Sequence, residues 1–374
     1  MTELSPQQRD WLSLYLVPGI GPKLAAALLD RFGTTAAILD ASPADLLEVP
    51  HLPKATAEWI KKSLAARAVG GELELMDKHG VRLVPSGTPE YPPALATIDV
   101  PPRFLYVRGT LEAKDAHAIA IVGSRQCTSY GQRVAERLAS DLTQAGYTIV
   151  SGLARGIDAC AHRGALNAKG RTIAVLAGGL SKIYPPEHTD LAEAVAASGA
   201  LATESAMCME PMAGMFPARN RIISGLCRAV VLVEANEKSG ALITARHAAQ
   251  QGREVFAVPG PVDSIASAGT LRLLRDGARM IRHARDLLDD LKGMAPLFGP
   301  AADRSDIPPA PPAQPPPGLD TVQQKIWDYL SESRNVDDLG RYVQLPVAAL
   351  TGTLMTLELK KIIRRLPGSM YERS

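Results

Sequence analysis

Ser151-Gly152-Leu153-Ala154-Arg155-Gly156-Ile157-Asp158 follows directly on a short apolar run, Thr148 to Val150, and opens a helix-length segment that continues to Ala168. An apolar run of strand length, a glycine-bearing turn and then a helix is half of a βαβ unit. The pattern recurs on both sides. Runs suited to strands are Ala118 to Val122, Thr172 to Leu176, Leu201 to Thr203, Ala229 to Val233 and Glu254 to Val258, with further helix-length segments at Tyr130 to Ala145 and Ala241 to Gln251. Strands that are apolar throughout are covered on both faces. The predicted fold class is therefore α/β, with a Rossmann-like parallel sheet at its core.

In an open α/β sheet the ligand lies outside the carboxyl ends of the strands. The turns at those ends are Gly123-Ser124-Arg125, the Ser151 to Asp158 loop, Gly178-Gly179, Glu204, Glu234 and Pro259-Gly260. Glycines let backbone amides approach a ligand, and helix N-termini favour an anion, so a phosphate is the natural candidate. No Gly-x-Gly-x-x-Gly follows the first strand and no P-loop is present, which argues against a dinucleotide or a hydrolysed triphosphate. No cofactor is expected.

Phe216-Pro217-Ala218-Arg219-Asn220-Arg221 adds two cations near a helix N-terminus, where the helix dipole disfavours them. Either neighbouring acids such as Glu204 or Glu234 compensate them, or a phosphodiester backbone does, contacted also by Arg125, Arg155 and Lys182. His162 lies one helical turn after Asp158; such a pair is expected to form a structural hydrogen bond rather than to transfer protons.

With 374 residues and 46% hydrophobic composition, the chain has material for two or three domains. A Pro/Ala-rich linker is expected at 299–318. It separates a Rossmann-like core at 83–298 from a final module at 319–374, and a helical module occupies 1–82. In the helical module, Val17-Pro18-Gly19-Ile20-Gly21-Pro22 joins a helix near Pro6 to Leu16 to one carrying Leu24, Leu28 and Phe32, the outline of a helix-hairpin-helix. Its echo, Val49-Pro50-His51-Leu52-Pro53-Lys54, lacks both glycines. The final module reads as three helices and a two-stranded ribbon, the order of a winged helix, with Lys360, Lys361, Arg364 and Arg365 near its end.

The formal charge of +2 means that any nucleic-acid surface must come from local clustering of cations. Four scattered cysteines and seven scattered histidines suggest neither a disulfide framework nor a metal site. No apolar run reaches the ~20 residues of a membrane span, and no secretory signal opens the chain, so a cytoplasmic location is expected.

Ile121-Val122-Gly123-Ser124-Arg125, Ser151 to Asp158 with Ala161-His162, Tyr184-Pro185, Phe216 to Leu226, Glu234-Ala235, Ser239-Gly240 with Thr244-Ala245, and Val258-Pro259-Gly260 occur in that order. Upstream stand Tyr91-Pro92-Pro93-Ala94-Leu95 and Leu105-Tyr106-Val107-Arg108-Gly109. Together these stretches resemble the bacterial DNA processing protein A (DprA/Smf) family. The resemblance implies a single-stranded DNA-binding accessory protein of natural transformation, commonly a homodimer through its Rossmann-like domain, that helps load the RecA recombinase. It implies no catalytic residues and no metal. The DNA-binding residues would be Gly123, Ser124, Arg125, Ser151, Gly152, Arg155, Gly156, Lys182, Arg219, Asn220 and Arg221. The competing class is a nucleotide-binding Rossmann enzyme, such as a LOG-like phosphoribohydrolase using Glu204 or Glu234. Its Pro-Gly-Gly-x-Gly-Thr signature is replaced here by Pro259-Gly260-Pro261-Val262.

Overall fold

The computed structural model describes residues 4–66, 69–292, 316, 319–330, 334–360, 362–366 and 370–373. It divides into two compact units, Met1–Ile307 and Pro308–Ser374.

The first unit opens with helices α1 (Pro6–Tyr15), α2 (Pro22–Phe32), α3 (Thr35–Asp40), α4 (Pro43–Leu47), α5 (Lys54–Ala66) and α6 (Gly70–Lys78). Ser5 starts α1 with a capping box, its hydroxyl accepting from the Gln8 amide while the Gln8 side chain accepts from the Ser5 amide. Between α1 and α2 the turn needs Gly19 at φ +87°; in the second hairpin, which has no glycine, His51 takes φ +64° instead. Leu14, Leu28, Ile38, Leu46 and Ile60 are fully buried between these helices, each contributing roughly 1.5–3 kcal/mol.

The chain then forms β1 (Val81–Pro85), α7 (Pro93–Ala96), β2 (Phe104–Gly109), β3 (Ala118–Val122), α8 (Ser129–Gln144), β4 (Thr148–Ser151) and α9 (Ile157–Asn167). It continues through β5 (Thr172–Val175), α10 (Thr189–Ser198), β6 (Ala200–Thr203), α11 (Met215–Gly225), β7 (Ala229–Leu232) and α12 (Ala241–Gln250). β8 (Glu254–Ala257), α13 (Ala268–Arg275), β9 (Arg279–Met280) and α14 (Ala284–Lys292) complete the unit. The strand order is β1-β2-β6-β5-β4-β3-β7-β8-β9. From β6 to β9 every pairing is parallel, as the uniformly apolar strands predict. Along β3, Ala118, Ala120 and Val122 pack into one core while Ile119 and Ile121 pack into the other, so both faces are covered.

β1, β2 and the two-residue β9 were not among the expected strands. β2 runs antiparallel to β6, and β1 antiparallel to β2, which makes the sheet mixed at one edge. The boundary expected between 82 and 83 falls inside β1. Leu12 of α1 and Met76 of α6 share a core with Leu83, Tyr106 and Leu201 of the sheet.

The second unit contains α15 (Thr321–Tyr329), β10 (Arg334–Asn335), α16 (Val336–Val343), α17 (Val347–Leu359), β11 (Ile363–Leu366) and β12 (Met370–Arg373). The expected ribbon is β11 paired with β12, and β10 adds a third strand on the far side of β12. Ile326, Leu339, Leu354, Leu357 and Ile363 form its core. The expected linker at 299–318 lies outside the described residues apart from position 316, as do Lys361 and Gly368.

Candidate nucleic-acid interface

β3 and β7 are neighbours at the middle of the sheet, but the chain leaves them in opposite directions, through β4, β5 and β6 on one side and through β8 and β9 on the other. This is the switch point at which an open α/β sheet leaves a crevice. A cleft of about 620 Å³ opens there. Gly123, Ser124 and Arg125 line it from the end of β3, Asp158 from α9, Phe216, Arg219 and Asn220 from α11, and Asn236, Lys238, Ser239 and Gly240 from the β7–α12 loop. A smaller adjoining hollow shares Arg125, Phe216 and Arg219 and adds Gly152, Arg155, Gly178, Gly179, Lys182 and Tyr184.

Backbone contacts fix the turns against one another. The Ser124 amide donates to the Glu234 carbonyl at 2.7 Å, and the Ile157 amide donates to the Ser124 carbonyl at 3.1 Å. Gly156 has φ +75°, and a Cβ there would strike the Ser124 carbonyl. Only glycine lets these two loops close together.

The cations fall into two kinds. Arg125 and Lys238 are exposed and enter no ion pair among the described residues. The Arg125 guanidinium lies 4.7 Å from the centre of the Phe216 ring, a cation–π contact that leaves its charge available to solvent and ligand. Tyr184 stands beside Phe216, their ring centres 6.2 Å apart, at the rim of the hollow. Arg155 and Lys182 are exposed too, but pair with Glu187 and, at 2.7 Å, with Glu210.

Arg219 belongs to the second kind. It is only 7% exposed, and its Nη1 donates to the carbonyls of Gly152, at 2.7 Å, and Val175. Burial pushes its pKa down to about 10, with nearby Asp158 acting in the opposite sense, so it stays protonated at neutral pH. Burial raises the Asp158 carboxyl, opposed by Arg219 and by the Gly152 amide, which donates to Asp158 at 3.1 Å. Asn220 is buried and its Nδ2 reaches the Gly240 carbonyl at 3.3 Å.

The structure therefore brings together Gly123, Ser124, Arg125, Gly152, Arg155, Lys182, Arg219 and Asn220. It does not bring Ser151, Gly156 or Arg221 to the lining of the cleft or the hollow. The Ser151 hydroxyl is buried and donates to the Ile121 carbonyl at 2.7 Å. Gly156 is spent on the loop closure. Arg221 points to Glu204, one nitrogen bonding both carboxylate oxygens at 2.7 and 2.9 Å, so an internal acid compensates this cation. Glu234 is also committed, accepting from the Thr128 amide at 2.8 Å and its hydroxyl at 2.5 Å at the start of α8.

His162 forms its hydrogen bond with Thr172 rather than with Asp158, at 2.7 Å. The Thr172 hydroxyl donates to the Ile149 carbonyl, so it accepts from the Nδ1–H of His162. Among the described residues no group of three or more His, Cys, Asp or Glu is arranged to hold a metal ion, and no helix is long and apolar enough to cross a membrane.

Asn236 and Lys238 were missed as lining residues. They became visible only once β7 was known to lie beside β3, which the linear order of the strands does not reveal.

Fold and site together define a class: a Rossmann-like α/β protein with exposed cations in the cleft at its switch point, preceded by a helix-hairpin-helix module and followed by a winged helix. Within that class, the chain belongs to the DNA recombination-mediator protein A family, the DprA/Smf proteins, whose family model matches residues 82–292. A SAM-like helix-hairpin-helix tandem matches residues 13–66 and a DprA winged helix domain residues 310–369. The protein is 33% identical to Protein Smf of Synechocystis over 98% of this chain and 99% of the relative. It is 40% identical to the DNA processing protein DprA of Bacillus subtilis over 67% of this chain and 87% of that one. Among solved structures, DprA of Streptococcus pneumoniae superposes with a TM-score of 0.65 at 29% identity, covering 75% of this chain and 97% of that one.

Proposed function

We propose that this protein binds single-stranded DNA in the switch-point cleft, acting in the cytoplasm as a homodimer through its Rossmann-like domain. It would protect incoming DNA and help load RecA during natural transformation. The observation that carries this reading is Arg125, an exposed cation without an acidic partner among the described residues, held over an aromatic ring at the mouth of a glycine-lined cleft. Phosphates would be met by Arg125 and Lys238, and an unstacked base by Phe216 and Tyr184, the pairing of cations and aromatic faces that suits single strands. Arg219 would act from below, its buried charge adding to the field at the Gly152 loop. A DprA from Helicobacter pylori, 30% identical, carries a solved structure described by its single-stranded DNA binding mode; it superposes with a TM-score of 0.51 over 56% of this chain. The division into modules at 1–82, 83–298, 299–318 and 319–374 is part of the same proposal.

The test is binding of a labelled oligonucleotide, single-stranded against duplex, across a salt series. A preference for single strands that weakens with salt supports the reading. Absence of binding by the intact protein overturns it. In that case release of a base from a nucleoside monophosphate is the next assay, and activity there would assign the cleft to a phosphoribohydrolase.

A further inference from the structure

The Gly152 loop is held in place from outside its own βα unit. Leu153 has φ +57°, a left-handed conformation that is unfavourable for a residue with a side chain, and it carries no glycine's exemption. Its side chain is fully buried, and its carbonyl meets the Nδ1 of His188 at 2.8 Å. A carbonyl can only accept, so Nδ1 carries the proton. His188 is itself buried, at the end of the segment that leaves β5 past Lys182 and Tyr184. One residue before it, Glu187 pairs with Arg155 of the same loop.

We infer that His188 is a positioning residue for the DNA cleft: by donating to the Leu153 carbonyl it holds the Gly152–Arg155 loop in the conformation that seats Arg219 and presents Arg155. This rests on the single-strand reading above. The loop has two consecutive duties. The Gly152 carbonyl receives Arg219, and the Gly152 amide caps Asp158. The Gly152 carbonyl belongs to the peptide that leads directly into left-handed Leu153, and His188 is the side chain that fastens that residue. The exposed Arg155–Glu187 pair fastens the same two loops at the surface, where ion pairs contribute little. The buried hydrogen bond is the stronger of the two clamps.

Two substitutions isolate the donor. The Asn Nδ2 stands the same number of bonds from Cβ as the His Nδ1, so His188→Asn keeps a donor at that point while losing the rest of the ring. His188→Leu has the shape of the Asn variant without the donor. Two readouts follow, both on the full chain: affinity for a single-stranded oligonucleotide, and the rate of tryptic cleavage after Arg155, the exposed arginine inside the loop. The Leu variant is expected to bind about three- to tenfold more weakly, the equivalent of one buried hydrogen bond, and to be cut faster after Arg155, with the Asn variant close to wild type in both. Equal behaviour of the two variants, whether both intact or both impaired, overturns the inference, since the ring or nothing at all would then matter. Lack of binding by the wild type instead removes the single-strand reading, and the cleavage rates still decide whether His188 fastens the loop.

Discussion

The guanidinium of Arg219 occupies the space where a side chain on residue 152 would begin: its Nη1 donates to the Gly152 carbonyl at 2.7 Å, and a Cβ on that residue would lie inside the van der Waals envelope of the same group. Arg219 and Gly152 come from α11 and from the end of β4, so one absent methyl group couples two elements of the cleft. Gly152→Ala must displace Arg219 or the loop. The expected cost is about 1–3 kcal/mol of stability, seen as a fall in Tm, together with a loss of single-strand affinity larger than that of any exposed cation. An alanine variant with unchanged Tm and unchanged binding would show that Arg219 has somewhere else to go.

Two arginines that look alike in sequence should fail in opposite ways. Arg125→Ala removes an exposed cation and is expected to leave stability within about 0.5 kcal/mol while reducing the salt dependence of DNA binding by about one phosphate contact. Arg221→Ala removes the partner of Glu204, whose side chain is only 14% exposed, and leaves a buried carboxylate without compensation. Breaking a buried pair in this way costs about 3–5 kcal/mol. Thermal unfolding and salt-dependent binding on both variants separate the two roles. A normal Tm for the Arg221 variant would mean that the pair is not structural.

This pair also shows how far the sequence could be read. The apolar runs locate all six parallel strands from β3 to β8 to within a residue or two, because a strand buried on both faces must be continuously apolar. The glycine turns lie at the edge of the sheet where the cleft opens. Which side chains turn outward could not be read. Ser151 ends β4 while Arg219 and Arg221 sit within α11, and the partners that decide where all three turn, Ile121, Gly152, Val175 and Glu204, are supplied by other elements. The edge strand β1 and its neighbour β2 were passed over because the Pro-rich stretch between them reads as loop. Lys238 escaped notice because its place beside Arg125 depends on strand order.

Acid should destabilise the protein through His162. Its ring is fully buried, its Nε2 has no hydrogen-bond partner among the described residues, and burial pushes its pKa from 6.5 down to about 3. Between those values the unfolded chain takes up a proton that the folded chain refuses, so stability falls as pH drops below 6.5 and continues to fall toward pH 3. The slope approaches about 1.4 kcal/mol per pH unit from this group alone. Denaturant unfolding at pH 7 and pH 5 measures it. His162→Asn keeps a donor toward Thr172 and removes the titration, so the difference between the two pH values should shrink by about 2 kcal/mol. An unchanged difference would assign the acid sensitivity to other groups.

Lys238 provides a test of the switch-point geometry itself. It stands on the β7–α12 loop, more than a hundred residues from Arg125, and the two line one cleft only because β7 lies beside β3. Its charge is exposed and has no acidic partner among the described residues, so Lys238→Ala should leave Tm unchanged and weaken single-strand binding at low salt. The informative measurement is the double variant with Arg125→Ala. If one strand crosses the cleft and meets both cations at separate phosphates, the two losses in binding free energy add, and the salt dependence falls by about two contacts instead of one. If the strand runs along the smaller hollow alone, past Lys182 and Tyr184, Lys238→Ala changes nothing and only Arg125→Ala registers. Full additivity would place the DNA at the switch point, and silence from Lys238 would move it toward β5.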